Sequence, residues 1–265
     1  MNDRERVRAE QRRRAVVGLT RNFGGFASVS DLAELLGVST LTIRRDAEEL
    51  EAAGLVTRTR GAVRLVEGPG LTLEPSFLNR TAASARAKQS IARAAAARVR
   101  AGSTIAIDTG TTTLAFSQLL TAVEDLTVVT SSLVVATQTA GTHDVYVLAG
   151  HVRPAELSVV GAQAYASALD RPIDQLFLGA AALGQEVSDY SVDDAYTKRA
   201  FISRAEEVVL LCDSTKFDRE AAAVVCDLAA VDCLITDSPP PAELARRLHE
   251  SDVEIVVSNY EENTP

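Results

Sequence analysis

Residues 38–63 read VSTLTIRRDAEELEAAGLVTRTRGAV, and this stretch decides the fold of the N-terminal part of the chain. Ser39 is placed to cap a helix, because a serine hydroxyl accepts a hydrogen bond from a free N–H of the first helical turn. Within that helix Ile43, Ala47 and Leu50 recur at i, i+4 and i+7. This spacing predicts one buried stripe and an opposite polar face.

The residues on either side of this helix complete a known pattern. A helical segment at 4–22 comes first, followed by a short helix at 31–36 that we expect Ser30 to cap and Gly37 to end. After the polar-faced helix, residues 55–66 alternate apolar and polar side chains around a glycine turn, which predicts a two-stranded ribbon. Helix, short helix, turn, polar-faced helix and hairpin in this order predict a winged helix-turn-helix.

The polar face of the third helix has the side chains that reading DNA requires. Short hydroxyl side chains lie near its N-terminus and two adjacent arginines follow, which suits the base edges and phosphates of a major groove. With two arginines of the predicted wing, the candidate DNA contacts are Ser39, Thr40, Thr42, Arg44, Arg45, Arg58 and Arg60. We expect Asp46 to orient a neighbouring arginine, because phosphates repel a carboxylate. The alternative is an ordinary surface helix, but the turn, the cap and the hairpin all favour DNA binding.

Charge is distributed unevenly along the chain. The formal net charge is −9, whereas residues 1–66 carry +3 and residues 67–265 carry −12. A basic N-terminal part on an acidic body is typical of a DNA-contacting domain joined to a soluble effector domain. No apolar run approaches the roughly 18 residues of a membrane span, and the cysteines show no metal or disulfide spacing. We therefore expect a cytoplasmic protein that does not associate with a membrane.

The rest of the chain has a different rhythm, in which short β-rich runs alternate with helical segments. Such alternation predicts an α/β fold with a mostly parallel, doubly wound sheet. Glycine and proline at positions 68–70 mark a connection between two domains. The predicted organisation is a winged helix-turn-helix at 1–66, a linker at 67–73 and a larger effector domain at 74–265.

A cluster of small polar residues stands at one predicted strand end, where residues 107–113 read IDTGTTT. Gly110 allows the backbone to turn tightly. Threonine hydroxyls and the N–H groups at a helix N-terminus are suited to hold a phosphate. Ligands of open α/β sheets settle at the carboxyl ends of strands. The segment therefore indicates an anion site, and a polar turn capped by threonines is the alternative.

Two parts of the sequence resemble the DeoR family of bacterial regulators. Residues 38–63 are similar to the family's N-terminal pattern, in which TIRRD leads to a Leu, a Gly and the wing, although Ala62 stands where a second wing Gly is usual. The loop at 107–113, the TSS segment at 130–132 and the DSTKF segment at 213–217 resemble the family's sensor domain. That domain is similar to the ribose phosphate isomerase group.

The resemblance implies that the effector domain senses a phosphorylated sugar. It implies a pocket for phosphate and hydroxyl groups that is lined by Asp108, Gly110, Thr111, Thr112 and Thr130. Positive charge in this acidic domain is expected from Lys198 and Lys216, and Arg153 is a further candidate ligand contact.

These patterns predict a repressor of sugar-metabolism genes that leaves its double-stranded DNA operator when a phosphorylated sugar binds. One helix-turn-helix reads few bases, so we expect a homodimer or higher homo-oligomer on paired half-sites. We expect no cofactor, no metal and no catalytic residue.

The rival class is a sugar-phosphate isomerase-like enzyme with an appended N-terminal helical domain. Ala181-Ala182 stands where the family commonly has Asp-Gly, and a carboxylate there would be a natural general base for proton abstraction. Its absence disfavours the enzyme. An activator with the same architecture is the third alternative.

Overall fold

The structure is a computed structural model that describes residues 9, 12–13, 15–20, 26–52, 55–59, 61–65, 77–153 and 156–258. The chain divides into two compact units, Met1–Asn79 and Arg80–Pro265, called here the N-terminal unit and the larger unit. The predicted linker at 67–73 lies outside the described residues. None of the helices in the described ranges has the length and hydrophobicity that a bilayer span needs.

The N-terminal unit has the predicted winged helix-turn-helix architecture. Residues 15–20 are helical, and the next elements are β1 (Phe26–Ser28), α1 (Val29–Leu36), α2 (Thr40–Ala52), β2 (Val56–Thr59) and β3 (Ala62–Leu65). The antiparallel pairing of β2 with β3 confirms the predicted wing. β1 pairs with the other side of β3, a strand that the sequence pattern did not predict.

The turn residues around α1 bring one confirmation and one correction. Gly37 has a left-handed backbone with φ +62°, so its predicted place at the end of α1 is confirmed. The predicted N-cap at Ser30 is wrong, because Ser28 has the extended backbone and its Oγ accepts a hydrogen bond from Asp31 N at 3.0 Å. Ser30 lies inside the first turn, and its hydroxyl pairs with that of Ser28 at 2.8 Å.

The predicted apolar stripe of α2 forms the core of the N-terminal unit. Ile43, Ala47 and Leu50 are buried, and they belong to one apolar cluster with Leu32 of α1 and Val63 of β3. The 3.6-residue helical period therefore leaves the opposite face of α2 to solvent.

The rest of the described chain alternates helices and strands. Its helices are α3 (Phe77–Ala82), α4 (Ala85–Ala96), α5 (Thr111–Ser117), α6 (Leu133–Thr139), α7 (Ala162–Ala168), α8 (Val192–Ile202) and α9 (Ala242–Glu250). Its strands are β4 (Thr104–Ile107), β5 (Thr127–Thr130), β6 (Asp144–Val147), β7 (His151–Arg153), β8 (Ser158–Val160), β9 (Ile173–Gly179), β10 (Ala182–Leu183), β11 (Glu186–Asp189), β12 (Ala205–Leu211), β13 (Ala223–Asp227), β14 (Cys233–Thr236) and β15 (Glu254–Val257).

A parallel sheet organises the larger unit, as predicted. Within the described residues it has seven strands in the order β15-β14-β12-β9-β4-β5-β6. Two antiparallel additions, β10-β11-β13 and the β7-β8 pair, were not predicted. Their strands have only 2 to 5 residues, too few to show a period of two in the sequence.

Side chains of the parallel strands alternate between two apolar cores, one on each face of the sheet. On β9, Phe177 packs against Phe116 of α5 with ring centroids 4.3 Å apart. Its neighbours Leu176 and Leu178 join the other core, which contains Phe201 of α8. Both faces are covered, and this is why the strands are continuous apolar runs in the sequence.

We expect Ile43→Ala to destabilise the N-terminal unit by about 2–5 kcal/mol, because truncation leaves a cavity in a packed core. Leu41→Ala is the matched control, since Leu41 lies on the same helix with an exposed side chain. Its cost should stay within about 0.5 kcal/mol. Urea denaturation of the two variants measures the difference, and equal losses would contradict the assigned buried face.

Candidate functional site

The exposed face of α2 presents most of the predicted DNA contacts. Thr40, Arg44 and Arg45 are exposed. Ser39 Oγ accepts a hydrogen bond from Thr42 N at 3.2 Å, which confirms its capping role, and pairs with Thr42 Oγ1 at 2.8 Å. The first turn of α2 is therefore fixed by its own hydroxyl groups, and the two arginines follow on the solvent side. Their contact with DNA stays a prediction.

Arg58 ties the wing to the same helix. Its backbone N and Nε donate to the carboxylate of Glu51 at 2.8 and 2.7 Å, and its Nη1 donates to Glu48 Oε1 at 2.7 Å. A DNA phosphate has to compete with these two glutamates for the guanidinium. The DNA contact of Arg58 stays a prediction. Arg60 lies outside the described residues.

Asp46 orients an arginine that the sequence pattern did not identify. Its buried carboxylate accepts hydrogen bonds from Arg12, at 2.5 Å from Nε and 3.1 Å from Nη2. The partner therefore comes from the first helical segment, 34 residues away, and the pair holds that segment against α2.

The parallel sheet has a topological switch point between β4 and β9. From β4 the chain moves outward through β5 to β6, then returns to β9 on the other side of β4 and moves outward to β15. Connections that leave in opposite directions open a crevice at the carboxyl ends of the two central strands. Asp108 follows β4 and Gly179 ends β9, and Gly179 N donates to Asp108 Oδ2 at 3.0 Å across this point.

Lys198 of α8 joins the same two strand ends. Its side chain is 2% exposed, and its Nζ lies 2.7 Å from Asp108 Oδ2 and 2.6 Å from Asp189 Oδ2. It also donates to Gly179 O at 2.8 Å. An ammonium has three protons, so this arrangement uses all of them. The geometry favours a positioning role for Lys198, and its predicted direct contact with an effector stays untested.

Burial and mutual charge set the protonation of this buried cluster, Asp108, Asp189 and Lys198. Burial raises the pKa of Asp108 to about 6, while Lys198 opposes the shift and Asp189 adds to it. The Asp108 carboxyl is therefore mostly ionised at neutral pH. Burial opposes the charge on Lys198, but the two carboxylates outweigh it and raise the lysine pKa above its ordinary value. The cluster holds one cation between two anions.

Two threonines after β4 differ in how their hydroxyl groups are used. Thr113 Oγ1 and Leu114 N both donate to Gly110 O at 3.0 Å, which starts α5. The Thr109 hydroxyl is buried and makes no hydrogen bond with any described residue. Such a group costs roughly 1–3 kcal/mol, so it marks a place where a ligand or a water is expected.

Thr130 and Arg153 are held by the protein itself. Thr130 Oγ1 donates to Ile107 O at 2.6 Å and accepts from Ser132 N at 3.0 Å, so the hydroxyl joins two neighbouring strand ends. Arg153 of β7 pairs with Asp194 of α8, with 2.6 Å between Nη2 and Oδ2. Their predicted contacts with an effector are untested.

Two lysines bring positive charge to the carboxyl edge of the sheet. Lys216 lies in a short 3-10 helix after β12, and Lys88 lies in the first turn of α4, where it donates to Ala83 O at 2.7 Å. Burial lowers the pKa of Lys88 to about 8, Asp213 opposes this shift and Lys216 adds to it. Lys88, which we did not predict as a site residue, is therefore within electrostatic range of Lys216.

Sequence reasoning also missed Thr109, Asp189 and Asp194. Thr109 lies inside the loop at 107–113, so the sequence could have indicated it as a candidate site residue. Asp194 is four residues before Lys198, and an acidic and a basic residue at that helical spacing indicate a charge cluster. Asp189 gives no such signal, because its contact with Lys198 depends on how β11 packs against α8 in the folded chain.

Family models match both units of the chain. Residues 19–68 match the DeoR-like helix-turn-helix domain, and residues 83–238 match the DeoR C terminal sensor domain. The chain belongs to the DeoR family. Curated relatives of this DeoR-family chain match it over almost its whole length. The putative aga operon transcriptional repressor of Escherichia coli O157:H7 is 32% identical over 93% of both chains.

A second relative is the glycerol-3-phosphate regulon repressor of Escherichia coli strain K12. It is 28% identical over 94% of this DeoR-family chain and 99% of the relative. Among solved structures, a ribose 5-phosphate isomerase from Methanocaldococcus jannaschii covers 49% of this chain and 53% of its own, with TM-score 0.37 and 16% identity. That likeness is too remote to bear on function.

Membership of the DeoR family decides between the two function classes. The chain is a DNA-binding transcription regulator, not an isomerase. The argument from Ala181-Ala182 was incomplete, because the switch point does hold carboxylates, Asp108 and Asp189. Both are bound to Lys198.

We expect Lys198→Ala to destabilise the larger unit by about 3–5 kcal/mol, because two buried carboxylates lose the cation between them. Lys216→Ala is the matched control, since the Lys216 side chain is only partly buried, and its cost should stay within about 0.5 kcal/mol. Thermal unfolding without ligand compares the variants. A Lys198→Ala protein as stable as Lys216→Ala would contradict the positioning role.

Proposed function

We propose that this DeoR-family regulator is a cytoplasmic repressor whose larger unit binds a phosphorylated sugar at the switch point between β4 and β9. The observation that carries the proposal is the convergence of polar groups there. Asp108, the loop at 109–113 and Gly179 meet at the carboxyl ends of the two central strands. Open α/β sheets bind ligands at this position.

Backbone and hydroxyl donors suit the phosphate. Gly110 is the N-cap of α5, which begins at Thr111, and the first N–H groups of a helix have no helical partner. The unused hydroxyl of Thr109 adds a donor beside them. Donors of this kind hold an anion without a cofactor.

Positive charge is needed as well, because residues 67–265 carry −12 and repel an anion. The ammonium of Lys198 is already bound by two carboxylates. Lys216 is the better candidate, since its side chain is only partly buried in the 3-10 helix after β12. Lys88, whose Nζ donates to Arg80 O and Ala83 O, adds a second positive charge within electrostatic range of Lys216. We therefore place the phosphate toward these two lysines and a sugar hydroxyl toward Asp108.

The names of relatives support a phosphorylated carbohydrate as the class of effector. One relative is a glycerol-3-phosphate regulon repressor, and another is the lactose phosphotransferase system repressor of Lactococcus lactis, 30% identical over 81% of this chain. Both names refer to phosphorylated carbon sources or their uptake.

In the proposed DNA contact, α2 is the helix that reads the bases. Arg58 and Arg60 are the contacts that the wing supplies. The exposed polar face of one α2 spans few base pairs, so specific binding requires two heads on paired half-sites. The proposed repressor is therefore a homo-oligomer with two-fold symmetry.

We expect Arg44→Ala and Arg45→Ala each to weaken operator binding by about 1–3 kcal/mol, the range for losing a bidentate base contact. Fluorescence anisotropy measures this on a duplex that the wild-type protein selects from random-sequence DNA. Salt is held constant, because phosphate contacts make affinity salt-dependent.

Arg246→Ala is the matched control for these variants. Arg246 is also an exposed helical arginine, but it lies on α9 of the larger unit and pairs with Glu243 and Glu250. Its loss should leave operator affinity unchanged. If Arg44→Ala and Arg45→Ala bind DNA as the control does, α2 is not the reading helix.

We expect phosphorylated sugars to stabilise the protein against heat, by about 2.7 kcal/mol at 100 times the dissociation constant. The panel contains glycerol 3-phosphate, pentose phosphates and hexose phosphates, each beside its unphosphorylated form and inorganic phosphate. The effective compound should stabilise Lys216→Ala far less than wild type and should release wild-type protein from the operator.

Equal stabilisation by the unphosphorylated form would contradict a phosphate site. Because Lys216→Ala is expected to keep its fold, a lost response in that variant reports on the site and not on stability.

A further inference from the structure

Helix α8 has two faces with different tasks. Its buried face carries Asp194 and Lys198, which pair with Arg153 and with the carboxylates at the switch point. Its exposed face carries Val192, Asp193, Tyr196 and Arg199. The residues Val192, Tyr196 and Arg199 recur at i, i+4 and i+7, so they form one stripe along the helix.

A groove runs beside this stripe, between α7 and α8. Its volume is about 510 Å³, and its lining residues are Gly161, Ala162, Tyr165, Asp193, Tyr196 and Arg199. Tyr165 and Tyr196 are 42% and 51% exposed, although an aromatic ring gains free energy from burial. The guanidinium of Arg199 lies 5.2 Å from the ring centroid of Tyr196.

Backbone carbonyl groups of β13 hold the Arg199 side chain in place. Its Nε donates to Val225 O at 3.3 Å and its Nη2 donates to Val224 O. The side chain of Val224 is itself exposed beside it. Tyrosine and arginine held in a rigid position are the residue types that dominate binding energy at protein interfaces.

Charge indicates which partner fits. Residues 67–265 carry −12, so two copies of the chain repel each other over most of their surface. The groove contains one acidic and one basic residue, Asp193 and Arg199, and is formally neutral. A two-fold interface is self-complementary, so a surface that carries both an acidic and a basic residue can pair Asp193 of one copy with Arg199 of the other, and this pair then occurs twice.

We infer that the groove between α7 and α8, with Tyr165, Tyr196 and Arg199 at its centre, is the surface through which two copies of this chain associate. The inference rests on the proposed homo-oligomeric repressor and names the surface that forms it. One helix then connects the pair of subunits with the buried cluster at the effector site.

The β6 edge of the parallel sheet is a competing surface. On β6, Tyr146 is 37% exposed and lies under the guanidinium of Arg171, 3.6 Å from its ring centroid. This edge has an aromatic ring and an arginine, as the groove has. In contrast to α8, β6 contributes no residue to the buried cluster. Tyr146 is therefore the matched control position.

The test compares full-length wild type, Tyr196→Asp and Tyr146→Asp by sedimentation velocity over a concentration series. We expect a wild-type dimer or larger even-numbered assembly. Tyr196→Asp should raise the dissociation constant at least about 100-fold, because a two-fold interface loses a central aromatic contact twice. Tyr146→Asp should associate as wild type does. Tyr165→Ser repeats the test on the opposite wall of the groove, and circular dichroism verifies the fold of each variant.

A monomeric wild type overturns the inference, and so does a Tyr196→Asp protein that is folded and associates normally. Dissociation of Tyr146→Asp as readily as Tyr196→Asp also overturns it, since the contact would then not be specific to the groove. The effector response of wild type is measured separately. If the association test contradicts the groove but the effector response persists, only the inferred surface is wrong. If wild type shows no effector response, the proposed repressor is wrong.

Discussion

The ammonium of Lys198 between Asp108 and Asp189 is the contact on which the larger unit depends. It joins three elements that are distant in sequence: the end of β4, the end of β11 and the middle of α8. Removing charges from water is costly, and the attraction between them compensates only when the geometry is close and the remaining donors are used. The hydrogen bond from Lys198 to Gly179 O uses the remaining donor and also ties the end of β9 to the cluster. The buried cluster therefore fixes both strands of the switch point.

This constraint also limits how the site recognises a ligand. One cation between two anions leaves the cluster with an excess of negative charge. The ion pair of Arg153 with Asp194 adds no net charge. An anionic ligand that approaches Asp108 directly is repelled. In the proposed site, the phosphate of the effector therefore lies toward the N–H groups that begin α5 and toward Lys216 and Lys88. A neutral hydroxyl group can approach the carboxylate, because it donates a hydrogen bond to it.

The parts of the fold that were predictable from sequence are those with local causes. The stripe of Ile43, Ala47 and Leu50 and the turn at Gly37 depend on residues a few positions apart, and the structure has them as expected. The alternating strands of the larger unit also follow from local apolar runs. The contacts of Lys198 were not predictable, because its partners Asp108 and Asp189 become neighbours only when β4, β11 and α8 pack. The same holds for Asp46 and Arg12, where the sequence indicated a pair but not the partner.

In the proposed repressor, α8 lies between the effector site and the inferred contact of two copies, which offers a physical route from one to the other. In the proposed site, a sugar hydroxyl that binds Asp108 changes the electrostatic balance around Lys198. A packed helix would respond by moving as a body, because its core face has no room to deform locally. Such a movement displaces Tyr196 and Arg199 on the opposite face. The coupling is then reciprocal, typically 1–3 kcal/mol in either direction. An effector that loosens the contact between two copies must, by the same free energy, be bound more tightly by the copies once they are apart.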